Sequence, residues 1–213
     1  MQKPQAVIFD MDGVIVDSES RHERAFLDTV ERIGYGQTHG INFQDYVGRS
    51  DRELWEEFLS RHQPGYSAEE LLRMKSLRVV EILQRDQPLF DGLPELIEQL
   101  AARYRLALAS GSDRVIVEAV LDLDQLRRHF PVAVSCNDVA RGKPEPDIFL
   151  RAAELLGVRP RDCWVIEDSK PGISAGRAAG MTVVAITNTH PAPELAQADF
   201  VVATYPEIAR LLV

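Results

Sequence analysis

The sequence contains no long apolar segment and only two cysteines. No apolar run approaches the roughly 18 residues that indicate a membrane-spanning helix, and no signal-peptide pattern opens the chain. Cys136 and Cys163 do not form a CxxC pair, and both lie in apolar, strand-like stretches. This context favours core packing over metal or redox chemistry. We therefore expect a cytoplasmic protein without a membrane partner.

Positive charge is scarce relative to negative charge. The 213 residues include 33 acidic and 24 basic side chains, which gives a formal charge of −9. This excess disfavours nucleic acid and anionic membranes as partners, because both attract proteins of net positive charge. An anionic small molecule remains compatible, since a bound cation and one lysine can reverse the local field. We expect a small-molecule partner and a monomer.

Several motifs of other protein classes are absent. The chain has no G-x-S-x-G, H-E-x-x-H or P-loop pattern. An EF-hand calcium loop that started at Asp10 would need Gly at its sixth position and Glu at its twelfth. Ile15 and Arg21 occupy those positions. A calcium-binding module built on this acidic segment is therefore excluded.

The chain shows an alternation of short apolar runs and helix-like segments. Each predicted strand ends at a polar residue: 6–9 at Asp10, 106–109 at Ser110, 132–134 at Ser135, 164–166 at Glu167 and 183–186 at Thr187. Helices are predicted at 94–104, 112–121 with Ser112 as the N-cap, 146–157 and 171–180. This alternation predicts an α/β fold, a Rossmann-like parallel sheet with helices on both faces. Ligands of such sheets bind beyond the carboxyl ends of the strands.

Residues 18–86 interrupt the alternation. They are charged, contain no convincing strand, and are typical of helices at 18–33, 52–59 and from the capping box Ser67-x-x-Glu70 to about Leu83. We predict that 18–86 is an inserted α-helical cap domain, which would stand over the tip of the first strand as a lid. Residues 1–17 and 87–213 would then form the catalytic core.

Two carboxylates follow the first predicted strand. Asp10 and Asp12 fall within one turn, and Gly13 allows the chain to turn sharply. Like charges this close require a cation or a retained proton. Phosphoryl transfer can use both states, because an ionised Asp can attack phosphorus while a protonated Asp gives its proton to the leaving oxygen. An Asx-turn or a helix cap is the alternative interpretation of this segment alone.

Three further segments lie at predicted strand ends or beside them. Glu167 and Asp168 supply hard oxygen ligands of the kind that magnesium prefers. Lys143 is a single ammonium beside a Pro-containing turn. Ser110 and Gly111 could offer a hydroxyl and backbone N–H groups to a phosphate. Each segment alone is compatible with a surface lysine or a helix cap, whereas their consistent order favours one phosphate-binding site.

The ordered segments resemble the signature motifs of the haloacid dehalogenase-like hydrolase superfamily. They are, in order, Phe9-Asp10-Met11-Asp12-Gly13-Val14, Ala109-Ser110-Gly111-Ser112, Gly142-Lys143-Pro144 and Val165-Ile166-Glu167-Asp168-Ser169. The stretch 172–181 extends the last motif, and the match spans nearly the whole chain. The sequence is similar to the branch with an α-helical cap, especially sugar-phosphate phosphatases and β-phosphoglucomutase.

The resemblance implies a Mg²⁺-dependent phosphatase that hydrolyses a small phosphate monoester, such as a sugar phosphate. It implies that Asp10 binds Mg²⁺ and is phosphorylated to an aspartyl-phosphate. Asp12 would be the general acid and base, and its backbone carbonyl would bind the metal. Ser110, Gly111 and Lys143 would bind the phosphoryl oxygens. Because Asp12 occupies the second motif position, we expect an alcohol leaving group rather than a halide.

The remaining candidate residues are also implied by the resemblance. Asp168 would be the metal ligand on the far side of the site, with Glu167 among or next to the residues that surround the direct ligands. In the cap, Arg49 lies in the loop expected to face the active site and is a candidate substrate contact. His22 and Lys75 are weaker candidates of the same kind. A surface or packing position is the alternative for each of these three residues.

Two alternatives stay open. A β-phosphoglucomutase-type sugar phosphomutase would use the same core residues but needs a second cationic phosphate site in its cap. In the mutase pattern the cap loop carries a lysine where Val47 stands and an arginine where Asp51 stands. Hydrolysis is therefore favoured, although Arg49 and Arg52 could compensate. An inactive member that only binds a phosphorylated ligand is disfavoured, because all the motif residues are intact.

Overall fold

The described residues of a computed structural model, 3–46 and 51–213, form six β-strands and eight α-helices. The strands are β1 (Ala6–Phe9), β2 (Arg105–Ala109), β3 (Val132–Val134), β4 (Cys163–Glu167), β5 (Thr182–Ile186) and β6 (Phe200–Val202). The helices are α1 (Glu19–Arg32), α2 (Asp51–Arg61), α3 (Ala68–Asp86), α4 (Leu93–Ala101), α5 (Arg114–Asp122), α6 (Asp147–Leu156), α7 (Lys170–Ala178) and α8 (Tyr205–Leu212).

The chain divides into two compact units. The core unit consists of Met1–Asp17 and Pro88–Val213, and the helical unit is Ser18–Gln87. The helical unit ends one residue later than the predicted insert 18–86. The roles predicted for these parts, catalytic core and cap, stay predictions.

All six strands belong to one parallel sheet in the core unit, in the order β3-β2-β1-β4-β5-β6. From β1 the chain adds β2 and β3 on one side, and then it returns to place β4, β5 and β6 on the other side. The order therefore reverses between β1 and β4, which leaves a crevice at their carboxyl ends. The predicted Rossmann-like parallel sheet is confirmed.

The central strand β1 is apolar along its whole length, as expected for a parallel sheet with helices on both faces. All four residues of β1 are fully buried. Ala6 and Ile8 belong to one apolar cluster with residues of α6 and α7, among them Phe149 and Ile173. Successive side chains of a strand point to opposite faces of the sheet, so Phe9 lies on the face opposite to Ala6 and Ile8. The centre of its ring is 5.6 Å from that of Phe130. Burial of one such phenyl side chain stabilises the fold by about 2 kcal/mol.

The helical unit has its own aromatic core and no strand among its described residues. Phe26 of α1 lies 5.3 Å from Trp55 of α2, measured between ring centroids, and Trp55 lies 5.6 Å from Phe58. All three side chains are fully buried. Helix α3 packs against α1 and α2. This unit therefore has a hydrophobic core independent of the sheet.

Helix α3 begins at the predicted capping box. The Glu70 backbone N–H donates to Ser67 Oγ at 3.2 Å, and the Glu70 carboxylate accepts from the Ser67 N–H at 2.8 Å. The helix continues beyond the predicted end at Leu83 and stops at Gln87, which has left-handed backbone angles (φ 45°). The start was predictable because the cap is a local side-chain pattern.

Two elements near the chain end were not predicted, β6 and α8. Strand β6 has only three residues at the edge of the sheet and is partly exposed, so it lacks the continuous apolar pattern of a central strand. Within the described part of the chain, no helix combines the length and apolarity that crossing a membrane requires.

Candidate active site

Three buried carboxylates meet at the carboxyl ends of the two central strands. Asp10 follows β1, Glu167 ends β4 and Asp168 comes next. One oxygen from each carboxylate lies within 4.8 Å of the others. The pairing of β1 with β4 brings them together, and the Asp10 N–H continues it by donating to the Ile166 carbonyl at 2.9 Å.

Lys143 is the cation of this cluster. Its Nζ lies 2.5 Å from Asp10 Oδ1 and 2.5 Å from Glu167 Oε1. The same ammonium lies 5.1 Å from the centre of the Phe149 ring, and its side chain is 12% exposed. Among the described residues, one ammonium therefore faces three carboxylates, and this cluster has surplus negative charge.

Burial and the surplus charge shift the protonation of Asp10 and Asp168. Burial raises the pKa of Asp10 to about 8, although Lys143 opposes the shift and the charges of Glu167 and Asp12 add to it. Burial and the charges of Glu167 and Asp10 also raise the pKa of Asp168 above its ordinary value. Burial alone would lower the pKa of Lys143, but the two adjacent carboxylates raise it, so the lysine stays protonated.

Glu167 is held firmly by the chain around it. Its Oε2 accepts from the backbone N–H groups of Asp168 and Ser169, both at 2.8 Å, and from the Ser169 hydroxyl at 2.9 Å. A Cβ added to Gly172 would overlap the Glu167 carboxylate, so this position of α7 requires glycine. Because its other oxygen accepts from Lys143, Glu167 fixes the lysine beside Asp10.

A hard divalent cation fits this donor set. Within the described residues, the side-chain hydrogen bonds of Asp10 and Asp168 use Asp10 Oδ1 and Asp168 Oδ2, which leaves their other oxygens for a metal. Oxygen ligands from one or two carboxylates, completed by water and substrate phosphate, are the usual environment of Mg²⁺ in proteins. A divalent ion would also supply the positive charge that the cluster lacks.

Asp12 is bound by two serine hydroxyls. Its Oδ2 accepts from Ser112 Oγ at 2.9 Å and from Ser110 Oγ at 3.2 Å. The prediction that Ser112 caps α5 is wrong, because the N-cap is Asp113 and the Ser112 hydroxyl donates to Asp12 instead. A hydrogen bond to an ionised carboxylate is stronger than one to a neutral backbone group. Gly111, between the serines, is exposed.

Gly13 has the conformation that the predicted turn requires, with a φ of 78°. A Cβ at this position would overlap the Asp168 carboxylate. The loop after β1 therefore closely approaches the acidic segment after β4. Ser135, the polar residue after β3, takes no part in this cluster and bonds to Asp138 instead.

Two residues that sequence reasoning missed follow β5. The Thr189 hydroxyl donates to Asp168 Oδ2, and the Asn188 side-chain amide donates to the Gly13 carbonyl at 2.8 Å. The only available signal was the polar residue at the predicted end of β5, Thr187. Their contacts depend on how β5 lies beside β4, which no local pattern indicates.

Two of the three candidate substrate contacts in the helical unit, Lys75 and His22, lie among the described residues. Lys75 is fully buried, and its Nζ lies 2.5 Å from Asp51 Oδ1 and 3.1 Å from His22 Nδ1. Lys75 is therefore not a solvated surface lysine, and it contacts the other candidate, His22. Arg49 lies outside the described residues. Substrate contact by these three residues stays a prediction.

Comparison with known families decides the class of the site. The family described as haloacid dehalogenase-like hydrolase matches residues 4–180. The chain belongs to this family. The matched region includes Asp10, Asp12, Ser110, Lys143 and Asp168, so the predicted resemblance is confirmed.

Relatives of this haloacid dehalogenase-like hydrolase include phosphatases and a phosphomutase. The chain is 34% identical over 193 residues to hexitol phosphatase B of Escherichia coli strain K12, covering 89% of this chain and 84% of the relative. It is 33% identical over 197 residues to β-phosphoglucomutase of Bacillus subtilis strain 168, covering 88% and 85%.

A solved structure with the same fold is CbbY from Rhodobacter sphaeroides, in complex with xylulose-(1,5)bisphosphate. It superposes with a TM-score of 0.84 at 26% identity and covers 96% of both chains. Together these relatives confirm the predicted enzyme class, a phosphoric monoester hydrolase, with phosphatase or phosphomutase as its function.

Proposed function

We propose that this protein is a Mg²⁺-dependent phosphatase that hydrolyses a small phosphate monoester through an aspartyl-phosphate on Asp10. Sugar phosphates and phosphorylated sugar alcohols are the first candidate substrates, because relatives named for such activity align along most of the chain. The observation that carries the proposal is the buried Asp10, bonded to Lys143 and surrounded by surplus negative charge. A second carboxylate, Asp12, lies two residues further on.

In the first step the Asp10 carboxylate attacks phosphorus, and the bond from phosphorus to the substrate oxygen breaks. Lys143 would bind a phosphoryl oxygen and stabilise the charge spread over the transferring group, since Glu167 keeps its ammonium beside Asp10. The Ser110 hydroxyl and the Gly111 N–H would bind further phosphoryl oxygens. Mg²⁺ held by Asp10 and Asp168 would supply the positive charge that phosphoryl transfer requires.

Asp12 would move the protons of both steps. As an acid it gives its proton to the departing alkoxide, which leaves as the alcohol. As a base it then takes a proton from the water that attacks the aspartyl-phosphate, so inorganic phosphate is released and Asp10 is regenerated. The Ser112 hydroxyl, which donates to Asp12 Oδ2 at 2.9 Å, orients the carboxylate for this role.

Phosphomutase activity is the second candidate, and the helical unit supports hydrolysis over it. A mutase must bind a second phosphate with positive charge. The ammonium of Lys75 is neutralised by Asp51 at 2.5 Å, and Val47 replaces the lysine of the mutase pattern. This charge pattern does not favour a bisphosphate.

The experiment is phosphate release from a panel of phosphorylated sugars, sugar alcohols and short acids. Protein stripped with a chelator should be inactive and regain activity with Mg²⁺. Asp10→Asn should be inactive, and the matched surface change Asp122→Asn should behave as wild type, because Asp122 is exposed and its carboxylate contacts Arg127 at the surface. Intact-mass spectrometry after acid quench should detect one added phosphoryl group on the wild type. Full activity without metal, or in Asp10→Asn, would contradict the proposal.

A separate experiment tests hydrolysis against mutase activity. The enzyme receives β-glucose 1-phosphate with a catalytic trace of the 1,6-bisphosphate, and products are followed by ³¹P NMR. We expect inorganic phosphate to form faster than glucose 6-phosphate. The opposite order would establish the mutase.

A further inference from the structure

We propose that Asn188 and Thr189 are positioning residues that hold the loop after Asp12 and the carboxylate of Asp168 in fixed places beside each other. The inference rests on the proposed function, because it assigns both residues to the same site. They are consecutive, and they follow the end of β5. Neither belongs to the motifs that identify the family in the sequence.

Asn188 holds the backbone that follows Asp12. Its side-chain amide donates to the Gly13 carbonyl at 2.8 Å and to the Tyr205 hydroxyl at 2.9 Å. Tyr205, at the start of α8, donates in turn to the Val14 carbonyl at 2.7 Å. Two successive carbonyl groups directly after Asp12 are therefore held by side chains from distant parts of the core unit.

The Tyr205 phenol is suited to this contact. Its side chain is buried, with 5% of the residue exposed, and burial raises its pKa above the ordinary value. The phenol therefore stays protonated and keeps donating to the loop. Leaving a buried carbonyl without this donor would cost about 1–3 kcal/mol of folding free energy. The hydrogen bond therefore favours one defined position of the loop.

Thr189 holds the carboxylate of Asp168. Its hydroxyl donates to Asp168 Oδ2, so rotation of the carboxylate is restricted and Oδ1 remains for a cation. Hydrogen bonds from such supporting residues orient metal ligands and change metal affinity. The Thr189 methyl group also lies where a Cβ on Gly13 would point, so this side chain touches both acidic segments.

The arrangement follows from the strand order. Strand β5 is bonded to β4 on the side away from β1, so the residues after β5 reach past the tip of β4 to the loop after β1. Misplacement of a reacting group by about 1 Å can reduce the rate about 100-fold. The rate of the proposed reaction therefore depends on a fixed distance between Asp12 and Asp168.

Mg²⁺ binding tests the role of Thr189 without any turnover. Isothermal titration calorimetry measures the Mg²⁺ affinity of the full chain and of Thr189→Val, which has the same shape but no hydroxyl. We expect about 10- to 100-fold weaker binding, and recovery to within about threefold in Thr189→Ser. The matched control is Thr29→Val, which deletes a buried hydroxyl that donates to the Ala25 carbonyl in the helical unit. It should bind Mg²⁺ as wild type.

The outcomes separate this inference from the proposed function. Unchanged affinity in Thr189→Val would overturn the inference alone. Equal weakening in Thr189→Ser or Thr29→Val would also overturn it, because a general loss of packing would then be responsible. A wild-type protein that does not bind Mg²⁺ would overturn the proposed function and this inference with it.

Leaving-group dependence tests the role of Asn188. In Asn188→Leu the general acid is displaced, so kcat should fall about tenfold more for an alkyl phosphate than for p-nitrophenyl phosphate, whose leaving group needs no proton. Tyr205→Phe deletes one hydroxyl and should show the same preference more weakly, which keeps the test valid if Asn188→Leu does not fold. Equal losses on both substrates in the folded variants would overturn this role.

Discussion

The core unit and the helical unit both bury charge, but they balance it differently. In the core unit, Asp10, Glu167 and Asp168 share one ammonium, that of Lys143. In the part of the helical unit that the structure describes, the buried ammonium of Lys75 is paired with one carboxylate, that of Asp51, at 2.5 Å. Charged side chains are thus buried in both units, whereas surplus negative charge lies at the candidate active site of the core unit.

This difference distinguishes a reactive cluster from a structural pair. A buried ion pair with good geometry roughly offsets the cost of removing two charges from water. Three carboxylates with one cation do not reach that balance, and burial together with the neighbouring negative charges raises the pKa values of Asp10 and Asp168. Binding of a cation stabilises a cluster of this kind, whereas it does not stabilise a pair whose charges already balance.

The largest effect is expected from the same substitution made in each unit. Asp10→Asn should reduce turnover by about 10⁴-fold or more, because it removes the nucleophile. Asp51→Asn should reduce the free energy of unfolding by about 1–3 kcal/mol, because it leaves the Lys75 ammonium buried without its carboxylate. The lower end of the range for broken pairs applies, since the Asp51 side chain is 30% exposed. Steady-state kinetics and urea denaturation measure the two effects.

The contrast between a reactive cluster and a structural pair would be wrong if Asp51→Asn lost turnover and Asp10→Asn lost stability. A loss of turnover in Asp51→Asn as large as that in Asp10→Asn would place the pair of the helical unit in the chemistry. A marked loss of stability in Asp10→Asn would show that its charge is structural.

The next effect concerns Asp12 as the proton donor. Asp12→Asn should slow hydrolysis of an alkyl phosphate by about 10²–10⁴-fold and that of p-nitrophenyl phosphate far less. The reason is that nitrophenolate leaves without a proton. Rates on the two substrates, measured at saturating Mg²⁺, check this expectation. Equal losses would count against Asp12 as the acid.

A smaller effect is expected in the pH dependence of stability without metal. The pKa of Asp10 is raised from 3.8 to about 8, so the folded protein binds this proton more tightly than the unfolded chain. The stability from this group is present below about pH 4 and is lost as pH rises towards 8. The melting temperature of metal-free protein should therefore fall over this range.

Added Mg²⁺ should raise the melting temperature most near pH 8, because it binds the ionised carboxylates. Asp10→Asn is the control, since it removes the titrating group and should flatten the metal-free profile relative to wild type. Differential scanning fluorimetry across pH measures both curves. Identical slopes in wild type and Asp10→Asn would show that Asp10 does not carry the effect.

The smallest effect compares two serine N-caps. Ser67 Oγ in the helical unit and Ser169 Oγ in the core unit each accept a backbone N–H at 3.2 Å. Replacing either by alanine should cost about 1 kcal/mol of stability. Only Ser169→Ala should also lower kcat, by severalfold, because the Ser169 hydroxyl donates to Glu167 at 2.9 Å. A similar loss of kcat in Ser67→Ala would remove the distinction between the units.

Much of the fold and the main acidic residues were predictable, because their signals are local. A buried strand is a short apolar run, and the polar residue after it marks the carboxyl end of the sheet, as at Asp10 and Glu167. The capping box of Ser67 is a pattern within four residues. The family motifs combine such local signals in a fixed order, so they identified the enzyme class as well.

The sequence by itself thus determined the parallel sheet, its acidic edge and the class of chemistry. Only the tertiary structure decided the partners of individual side chains. Ser112 was predicted as a helix cap but donates to Asp12, which is 100 positions away, and Asn188 donates to Gly13, 175 positions away. Lys75 is buried against Asp51 instead of solvated. Such contacts depend on strand order and packing between distant segments, and a hydrogen bond across that separation leaves no periodic pattern in the sequence.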